Sequence, residues 1–131
     1  KNIERHGLSS RLGVAGGNCF EDPFPSGADA ILFCHFLDIW SEKSAQFLLK
    51  KAYDALPVGG KIVIFNIMEW ENGKGPLSAA ITSAYFLTHA TGDGYMYNPR
   101  EYKQWLKDLG MSNFKTYRFP EEHIVLTAVK S

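Results

Sequence analysis

The sequence predicts an α/β fold in which parallel strands form the main sheet and an antiparallel hairpin ends the chain. Two nearly continuous apolar segments, 28–36 and 61–68, are typical of strands covered on both faces, as in parallel sheets. Between them, residues 41–56 repeat apolar side chains every three or four positions, which predicts a helical crossover. The β-rich segments 114–119 and 123–130 predict the closing hairpin.

The composition is that of one globular domain spanning residues 1–131. Hydrophobic residues make up 45% and aromatic residues 14% of the chain, unlike disordered sequences. The 14 basic and 14 acidic side chains cancel, which argues against a nucleic-acid or anionic-membrane partner. No apolar stretch is long enough to span a bilayer. Two cysteines without a Cys-x-x-Cys pair predict reduced thiols, a cytoplasmic protein and no metal site.

The first part of the chain is expected to hold two short elements and a loop before the first main strand. Residues 2–10 have the pattern of a helix end that stops at Gly7. Residues 11–15 have the pattern of a short strand closed by two glycines. Two prolines and a glycine predict a loop over 21–27. The strand at 28–36 is then expected to lie in the centre of the sheet.

Three helix starts are predicted from capping residues. Ser41 is a favoured N-cap for the crossover helix. Pro76 suits the first turn of a helix running to about His89, and the small and aromatic side chains around it predict that it is largely buried. Asn98–Pro99 begins a last helix that ends at Gly110.

Three segments carry a resemblance to a known enzyme family. Residues 17–25 are GNCFEDPFP, residues 34–41 are CHFLDIWS, and residues 55–61 are ALPVGGK. In order and spacing they resemble the Gly-Asp-Phe-Phe-x-x-Pro-Leu-Pro, Lys-His-Val-Leu-His-Asp-Trp-Ser and Ala-Leu-x-Pro-Gly-Gly-x motifs of class I S-adenosylmethionine-dependent O-methyltransferases. Within that class, the small-molecule enzymes acting on caffeate, acetylserotonin and polyketides are the most similar. The resemblance covers essentially all 131 residues and implies the C-terminal part of a Rossmann-like catalytic domain with S-adenosylmethionine as cofactor.

The resemblance implies a set of residues that border the cofactor. Asn18 replaces an aspartate that accepts a hydrogen bond from the adenine amino group, and an amide oxygen does so without charge assistance. Trp40 matches a tryptophan near the adenine; its alternative role is to cover a helix start. Cys34 is expected to contact the cofactor through its backbone or to be part of the core. The full set of expected cofactor contacts is Gly17, Asn18, Cys19, Cys34 and Trp40.

The catalytic base is the point at which the sequence departs from the family. Methyl transfer to oxygen needs the acceptor hydroxyl to lose its proton. Asp38 stands at the family's histidine base, and its alternative role is to place a negative charge at a helix N-terminus. His89 is the second candidate, as a base or acceptor contact, or as a cation at a helix C-terminus. The family's assisting glutamates correspond to Asn66 and to Tyr95 or Met96, which leaves catalysis by positioning alone as the third possibility.

The acceptor pocket is expected around the helix that starts at Pro76 and the turn after it. Aromatic side chains there suit a flat, apolar or aromatic acceptor, with core packing as the competing role for Phe86. The residues expected to bind substrate are Tyr85, Phe86, His89, Tyr95 and Met96.

The predicted function is methyl transfer from S-adenosylmethionine to a hydroxyl of a small aromatic or polyketide-like acceptor. The family's glycine-rich loop, its ribose-binding acid and its N-terminal dimerisation region have no counterpart in these residues. We therefore expect either part of a longer homodimeric enzyme or association with a chain that carries the loop. Two alternatives are a cyclase or pericyclase on the same scaffold and a non-catalytic subunit that completes a partner's site.

Overall fold

The computed structural model describes residues 2–131, and its secondary structure confirms the mixed α/β class. Helices and strands alternate through the middle of the chain, and two strands end it. Short 3-10 segments lie at Leu37–Ile39 and Pro120–Glu122. The main elements are α1 (Asn2–Arg5), β1 (Ala30–Cys34), α2 (Glu42–Ala55), β2 (Lys61–Ile67), α3 (Leu77–His89), α4 (Pro99–Asp108), β3 (Met111–Arg118) and β4 (His123–Lys130).

The four strands within residues 2–131 form one sheet in the order β1, β2, β4, β3. β1 runs parallel to β2, with Ala30 opposite Lys61 and Cys34 opposite Phe65. β4 is antiparallel to both β2 and β3, so the predicted hairpin is confirmed. β2 and β4 are hydrogen-bonded on both sides, whereas β1 and β3 are the edge strands of this sheet.

The expected central position of β1 is wrong for the described residues, in which β1 is an edge strand. Phe33 points into the core and is 5% exposed, whereas Leu32 points to the other face and is 61% exposed. Successive side chains of a strand point to opposite faces, so an apolar run supplies two apolar faces. Residues 2–131 cover only one of them.

The expected strand over 11–15 is also wrong. These residues have no regular structure and are exposed, with Val14 at 86% exposure. A strand needs a neighbour to satisfy its backbone groups, and this segment has none among the described residues. The predicted helix before it is present as the single turn α1.

The crossover helix α2 is confirmed, including its cap. The Ser41 hydroxyl accepts a hydrogen bond from the Ser44 N–H at 3.3 Å, which satisfies one of the helix's first donors. The stripe facing the sheet is fully buried and consists of Ala45, Leu48, Leu49 and Ala52. Helix α2 therefore builds one side of the core and fixes the loop that precedes it.

Helix α3 starts after Pro76 and ends at His89 as expected, but the prediction that it is largely buried is wrong. Only Ala79 and Ser83 are buried. Leu77 and Ile81 are 74% and 61% exposed. Its apolar side chains surround the helix, while the described residues pack against one narrow stripe of it.

Helix α4 supplies an aromatic part of the core. Asn98 caps the helix by accepting from the N–H groups of Arg100 and Glu101, at 2.9 and 3.1 Å. The ring of Tyr102 is completely buried and meets the Trp105 ring edge-on at 5.3 Å. The core thus lies on one face of the sheet, between its even-numbered β2 and β4 residues and helices α2 and α4.

Candidate functional site

The loop before β1 is fixed by hydrogen bonds to its own residues and to α2. The Asn18 N–H donates to Asp22 Oδ2 at 2.7 Å, which closes a tight turn. Lys51 of α2 donates from Nζ to the carbonyl oxygens of Cys19 and Asp22, at 2.6 and 2.7 Å. A Cβ at Gly17 would lie 2.8 Å from Asp22 Oδ2, so a larger residue there would displace the carboxylate that accepts from the Asn18 N–H.

Two clefts border this loop. The smaller, of about 200 Å³, is lined by residues that include Gly17, Asn18 and Cys19. The larger, of about 560 Å³, extends from Cys19 along β1 to Cys34. The wall of the larger cleft is mainly apolar and aromatic. Four of the five expected cofactor contacts thus line the walls of these two clefts.

Trp40, the fifth, lies beside the same loop. Its ring meets the Phe20 ring edge-on at 4.9 Å. Its Nε1 is buried and has no hydrogen-bond partner among residues 2–131. The Asn18 side-chain oxygen accepts from the Phe20 N–H at 3.0 Å, so one of its two lone pairs is already used.

Asp38 is a buried acid in the 3-10 segment Leu37–Ile39, which follows β1. Its residue is 2% exposed, and Oδ1 has no hydrogen-bond partner in the described part of the chain. Burial raises the pKa of the Asp38 carboxyl above 3.8, because desolvation disfavours the charged form. The amide of Asn66, the backbone and the charge of His35 lower the pKa and offset burial only in part.

Asn66 and Tyr102 share this buried pocket of polar groups. The Asn66 side-chain oxygen and the Tyr102 hydroxyl are both buried without a partner among the described residues. Burial raises the pKa of Tyr102 well above its usual range, and the charge of Asp38 adds to the shift. Sequence reasoning missed Tyr102, whose only signal was its place on the apolar stripe of α4.

The turn after α3 covers Asp38. A side chain at Gly94 would lie 2.5 Å from the Asp38 carbonyl oxygen and 2.9 Å from the Phe86 Cβ. Thr91 donates from its hydroxyl to the Ile39 carbonyl. Asp38 lines neither cleft beside the loop, and its role as a base stays a prediction.

A third cavity, of about 340 Å³, lies between α3 and the loop after β2. Its α3 wall is made of the small side chains Ala79, Ala80, Ser83 and Ala84 together with Leu87. Tyr95 and Glu69 form a polar edge, where the Tyr95 hydroxyl donates to Glu69 Oε2 at 3.3 Å. The volume is at the lower end of the roughly 300–1,000 Å³ range of small-molecule sites.

A model of the O-methyltransferase domain family matches residues 1–112, most of the chain. The chain belongs to this family. Its fold and motif order are those of S-adenosylmethionine-dependent methyltransferases, and S-adenosylmethionine is the cofactor of the domain. The methyltransferase resemblance seen in the sequence is therefore confirmed.

Similar proteins include both oxygen and carbon methyltransferases. The L-tyrosine C(3)-methyltransferase of Streptomyces lavendulae is 39% identical over 134 residues, covering 99% of this chain and 37% of that protein. The 3-hydroxy-5-methyl-1-naphthoate 3-O-methyltransferase of Streptomyces sahachiroi is 35% identical over 133 residues, covering all of this chain and 38% of that protein. The chain spans little more than a third of the length of these relatives.

The crystal structure of the S-adenosylmethionine-dependent methyltransferase SibL, in its apo form, has the same fold. It superposes with a TM-score of 0.88 and 31% sequence identity, covering 98% of this chain and 38% of that one. The parallel β1–β2 pair with its antiparallel strands is thus the sheet of a methyltransferase domain.

The clefts of this methyltransferase domain fit part of its cofactor. The 560 Å³ cleft has apolar and aromatic walls, including Phe24 and Phe36, as an adenine base requires. Cys34 and Phe36 lie at the carboxyl end of β1, where open α/β sheets bind ligands, and the rest of the cleft follows the strand from Ala30. Trp40, whose Nε1 is buried without a hydrogen-bond partner among residues 2–131, does not line this cleft.

The structure separates the five expected acceptor residues. Tyr95 lines the 340 Å³ cavity. The rings of Tyr85 and His89 lie parallel with centroids 6.0 Å apart on the exposed side of α3. Phe86 is half-buried against the turn that covers Asp38. Met96 is 2% exposed, so its side chain lies beneath the surface. The substrate-binding roles of all five residues stay predictions.

Two further findings concern residues 2–131. No group of three or more histidine, cysteine, aspartate or glutamate side chains in this range is arranged to hold a metal ion. None of the helices in the range is long and apolar enough to cross a membrane.

Proposed function

We propose that the assembly containing this chain transfers the methyl group of S-adenosylmethionine to a hydroxyl oxygen of a small aromatic or polyketide-like acceptor. The observation that carries the proposal is the family match over residues 1–112. The cavity beside α3 supports it, because about 340 Å³ of space behind small side chains suits a small, flat acceptor.

The residues beside the first loop would hold the cofactor. When bound, S-adenosylmethionine supplies an electrophilic methyl group on a sulfonium. Gly17, Asn18 and Cys19 would border its adenosine, with Asn18 accepting a hydrogen bond through its second lone pair. Cys34 would complete this wall, and Trp40 would contribute from beside the loop. A glycine-rich loop from outside these residues would complete the site, in a homodimeric enzyme or on a partner chain.

We propose that positioning, rather than a dedicated base, supplies most of the rate. The acceptor hydroxyl must lose its proton as its oxygen attacks. The Asp38 carboxyl is buried under the turn at Gly94 and does not line the acceptor cavity. His89 lies outside the lining of that cavity as well. A cavity that holds an acidic phenol in line with the methyl group needs neither side chain as a base.

Methyl transfer from radiolabelled S-adenosylmethionine to a panel of phenols tests the function and the roles of Asp38 and His89. We expect Asp38→Asn and His89→Ala to keep kcat within about tenfold of the wild-type value, since removing a true general base costs about 10²–10⁴-fold. The intact assembly is the enzyme to assay. A loss of 10²-fold or more in either variant would contradict the positioning mechanism and identify that residue as the base.

Methylation of a ring carbon is the second candidate reaction. The observation in its favour is the 39% identity to a protein named L-tyrosine C(3)-methyltransferase. A phenolate is nucleophilic at oxygen and at the adjacent ring carbons, so the same pocket serves either product. NMR of the product distinguishes an aryl methyl group from a methoxy group and decides between the two reactions.

The remaining alternatives give different results in the same assay. A cyclase or pericyclase would convert its substrate without forming methylated product or S-adenosylhomocysteine. A non-catalytic subunit would restore activity only when mixed with a second chain. Methylated product formed together with S-adenosylhomocysteine by an assembly of this chain's own polypeptide would argue against both.

A further inference from the structure

The cavity beside α3 has one charged side chain in its wall. Among the described residues that line it, Glu69 carries a carboxylate, and the others are small, apolar or neutral. The Ser83 hydroxyl accepts from the Met96 N–H at 3.0 Å. Glu69, Tyr95 and the free O–H of Ser83 are therefore, among the described residues, the side-chain polar groups that can recognise a ligand in this cavity.

The Glu69 carboxylate has no cationic partner among residues 2–131. The Tyr95 hydroxyl donates to its Oε2 at 3.3 Å. Between residues 2 and 131, no lysine, arginine or histidine nitrogen lies within 4.0 Å of it. The neighbouring Glu71 is different, because Lys103 lies 3.9 Å from its Oε1. One donor leaves further lone pairs of the Glu69 carboxylate able to accept hydrogen bonds from a ligand.

Carboxylates act on the Tyr95 hydroxyl at one end of the cavity. Burial and the charges of Glu69 and Glu101 raise the pKa of Tyr95. Burial raises the pKa of Tyr97 to about 12, with contributions from Glu42, Glu101 and Asp93. The carboxylates of Glu69 and Glu101 thus both act on the Tyr95 hydroxyl, and negative charge at this end of the cavity favours a cationic ligand.

We propose that Glu69 is a specificity-determining residue that binds a protonated amino group of the acceptor, so that the substrate is a small phenol bearing a basic amine. The inference rests on the proposed function, in which this cavity holds the acceptor. A metal ion does not fit, because one carboxylate without a second acid or a histidine in the wall is too few ligands. An ammonium group fits, because its N–H groups can donate to the Glu69 carboxylate and its charge is opposite to that of the carboxylate.

A charge series of phenols tests the proposal. Tyramine, 4-ethylphenol and 3-(4-hydroxyphenyl)propionate share a phenol ring and a two-carbon chain and carry charges of +1, 0 and −1. Calorimetry with the intact assembly and bound S-adenosylhomocysteine measures their dissociation constants without turnover. We expect tyramine to bind about tenfold more tightly than 4-ethylphenol, and the propionate to bind most weakly.

Glu69→Gln removes the charge and keeps the shape of the side chain. It is expected to weaken tyramine binding about tenfold and to leave 4-ethylphenol within twofold. Glu71→Gln is the matched control, because it removes a neighbouring charge that faces Lys103 and is expected to leave both constants unchanged. Should Glu69→Gln fold poorly, the charge series on the wild-type protein decides alone.

Two results would overturn the inference. One is equal affinity of the wild-type protein for tyramine and 4-ethylphenol. The other is an equal loss of tyramine affinity in Glu69→Gln and Glu71→Gln, which would show a general charge effect. The proposed function fails separately: it is contradicted if no phenol is methylated while the Glu69-dependent preference for tyramine persists. Methylation of 4-ethylphenol without any preference for the amine contradicts only the inference.

Discussion

Asp38 is a candidate site residue whose carboxyl group is buried with an oxygen that accepts no hydrogen bond from the described residues. The sequence resemblance predicts that it replaces a histidine base, and in the structure it is 2% exposed and Oδ1 has no partner among residues 2–131. Asn66 and Tyr102 each add another unpartnered polar atom nearby. Clusters of this kind cost stability and are retained where they serve a site.

The raised pKa of Asp38 predicts a pH dependence of stability. A carboxyl whose pKa is higher in the folded than in the unfolded protein favours the folded state at low pH. This contribution to stability is fully present below the unfolded-state pKa of about 3.8, and it is lost as the pH rises through the folded-state pKa. Asp38→Asn has no such titration. The free energy of unfolding of Asp38→Asn, compared with that of the wild type at the same pH, should therefore rise between pH 4 and 8. The expected gain is about 1 kcal/mol, because the variant no longer buries an unpaired charge.

Urea unfolding of the complete protein at several pH values measures this difference. Asp29→Asn is the control, because Asp29 is exposed and its substitution should leave the pH profile unchanged. A constant difference between Asp38→Asn and wild type across the range would show that Asp38 is ionised equally in the folded and unfolded protein.

Among the elements, α4 depends most visibly on its cap. Asn98 accepts hydrogen bonds from the N–H groups of Arg100 and Glu101, and the Glu101 side chain accepts from the Asn98 N–H at 2.8 Å. This reciprocal arrangement satisfies donors at the helix start. It also fixes the helix whose Tyr102 ring lies beside Asp38 and Asn66.

Asn98→Ala is expected to lower the free energy of unfolding by about 1 kcal/mol, the usual effect of losing a helix N-cap. Asn98→Asp and Asn98→Ser keep an acceptor oxygen and should stay within about 0.5 kcal/mol of wild type. Urea unfolding monitored by far-ultraviolet circular dichroism measures all three. If alanine were as stable as serine at this position, the cap would contribute nothing to α4.

At the scale of the whole molecule, the sheet has one covered and one uncovered face. Leu32 and Tyr117 lie on the second face and are 61% and 47% exposed. Parallel strands are almost always covered on both faces. The chain spans 37% of the length of its tyrosine-methylating relative, so other polypeptide is available in such proteins to cover this face.

Leu32→Lys tests whether this face is covered in the complete protein. If further polypeptide packs there, the substitution should lower the free energy of unfolding by about 2 kcal/mol, the value of a buried leucine side chain. Val58→Lys is the control, because Val58 lies in a turn at 77% exposure and should change stability by less than about 0.5 kcal/mol. Equal effects of the two substitutions would mean that Leu32 faces solvent.

The family and the local elements followed from the sequence because each depends on residues close together along the chain. The caps at Ser41 and Asn98 and the periodicity of α2 act within one or two turns. The motif at 17–25 likewise identified the loop that lines two clefts. Even the hairpin needs only a short connection between β3 and β4.

The sequence by itself determined the order of elements, the parallel β1–β2 unit, the helix starts and the methyltransferase family. Only the tertiary structure decided that β1 is an edge strand, that α3 is mostly exposed, and that the turn at Gly94 covers Asp38. The physical reason is that apolar patterning marks surfaces suited to burial, whereas the residues that cover them come from distant parts of the chain. Asn66 and Tyr102 lie beside Asp38 in the structure. They are 28 and 64 positions from it along the chain, and only packing brings the three residues together.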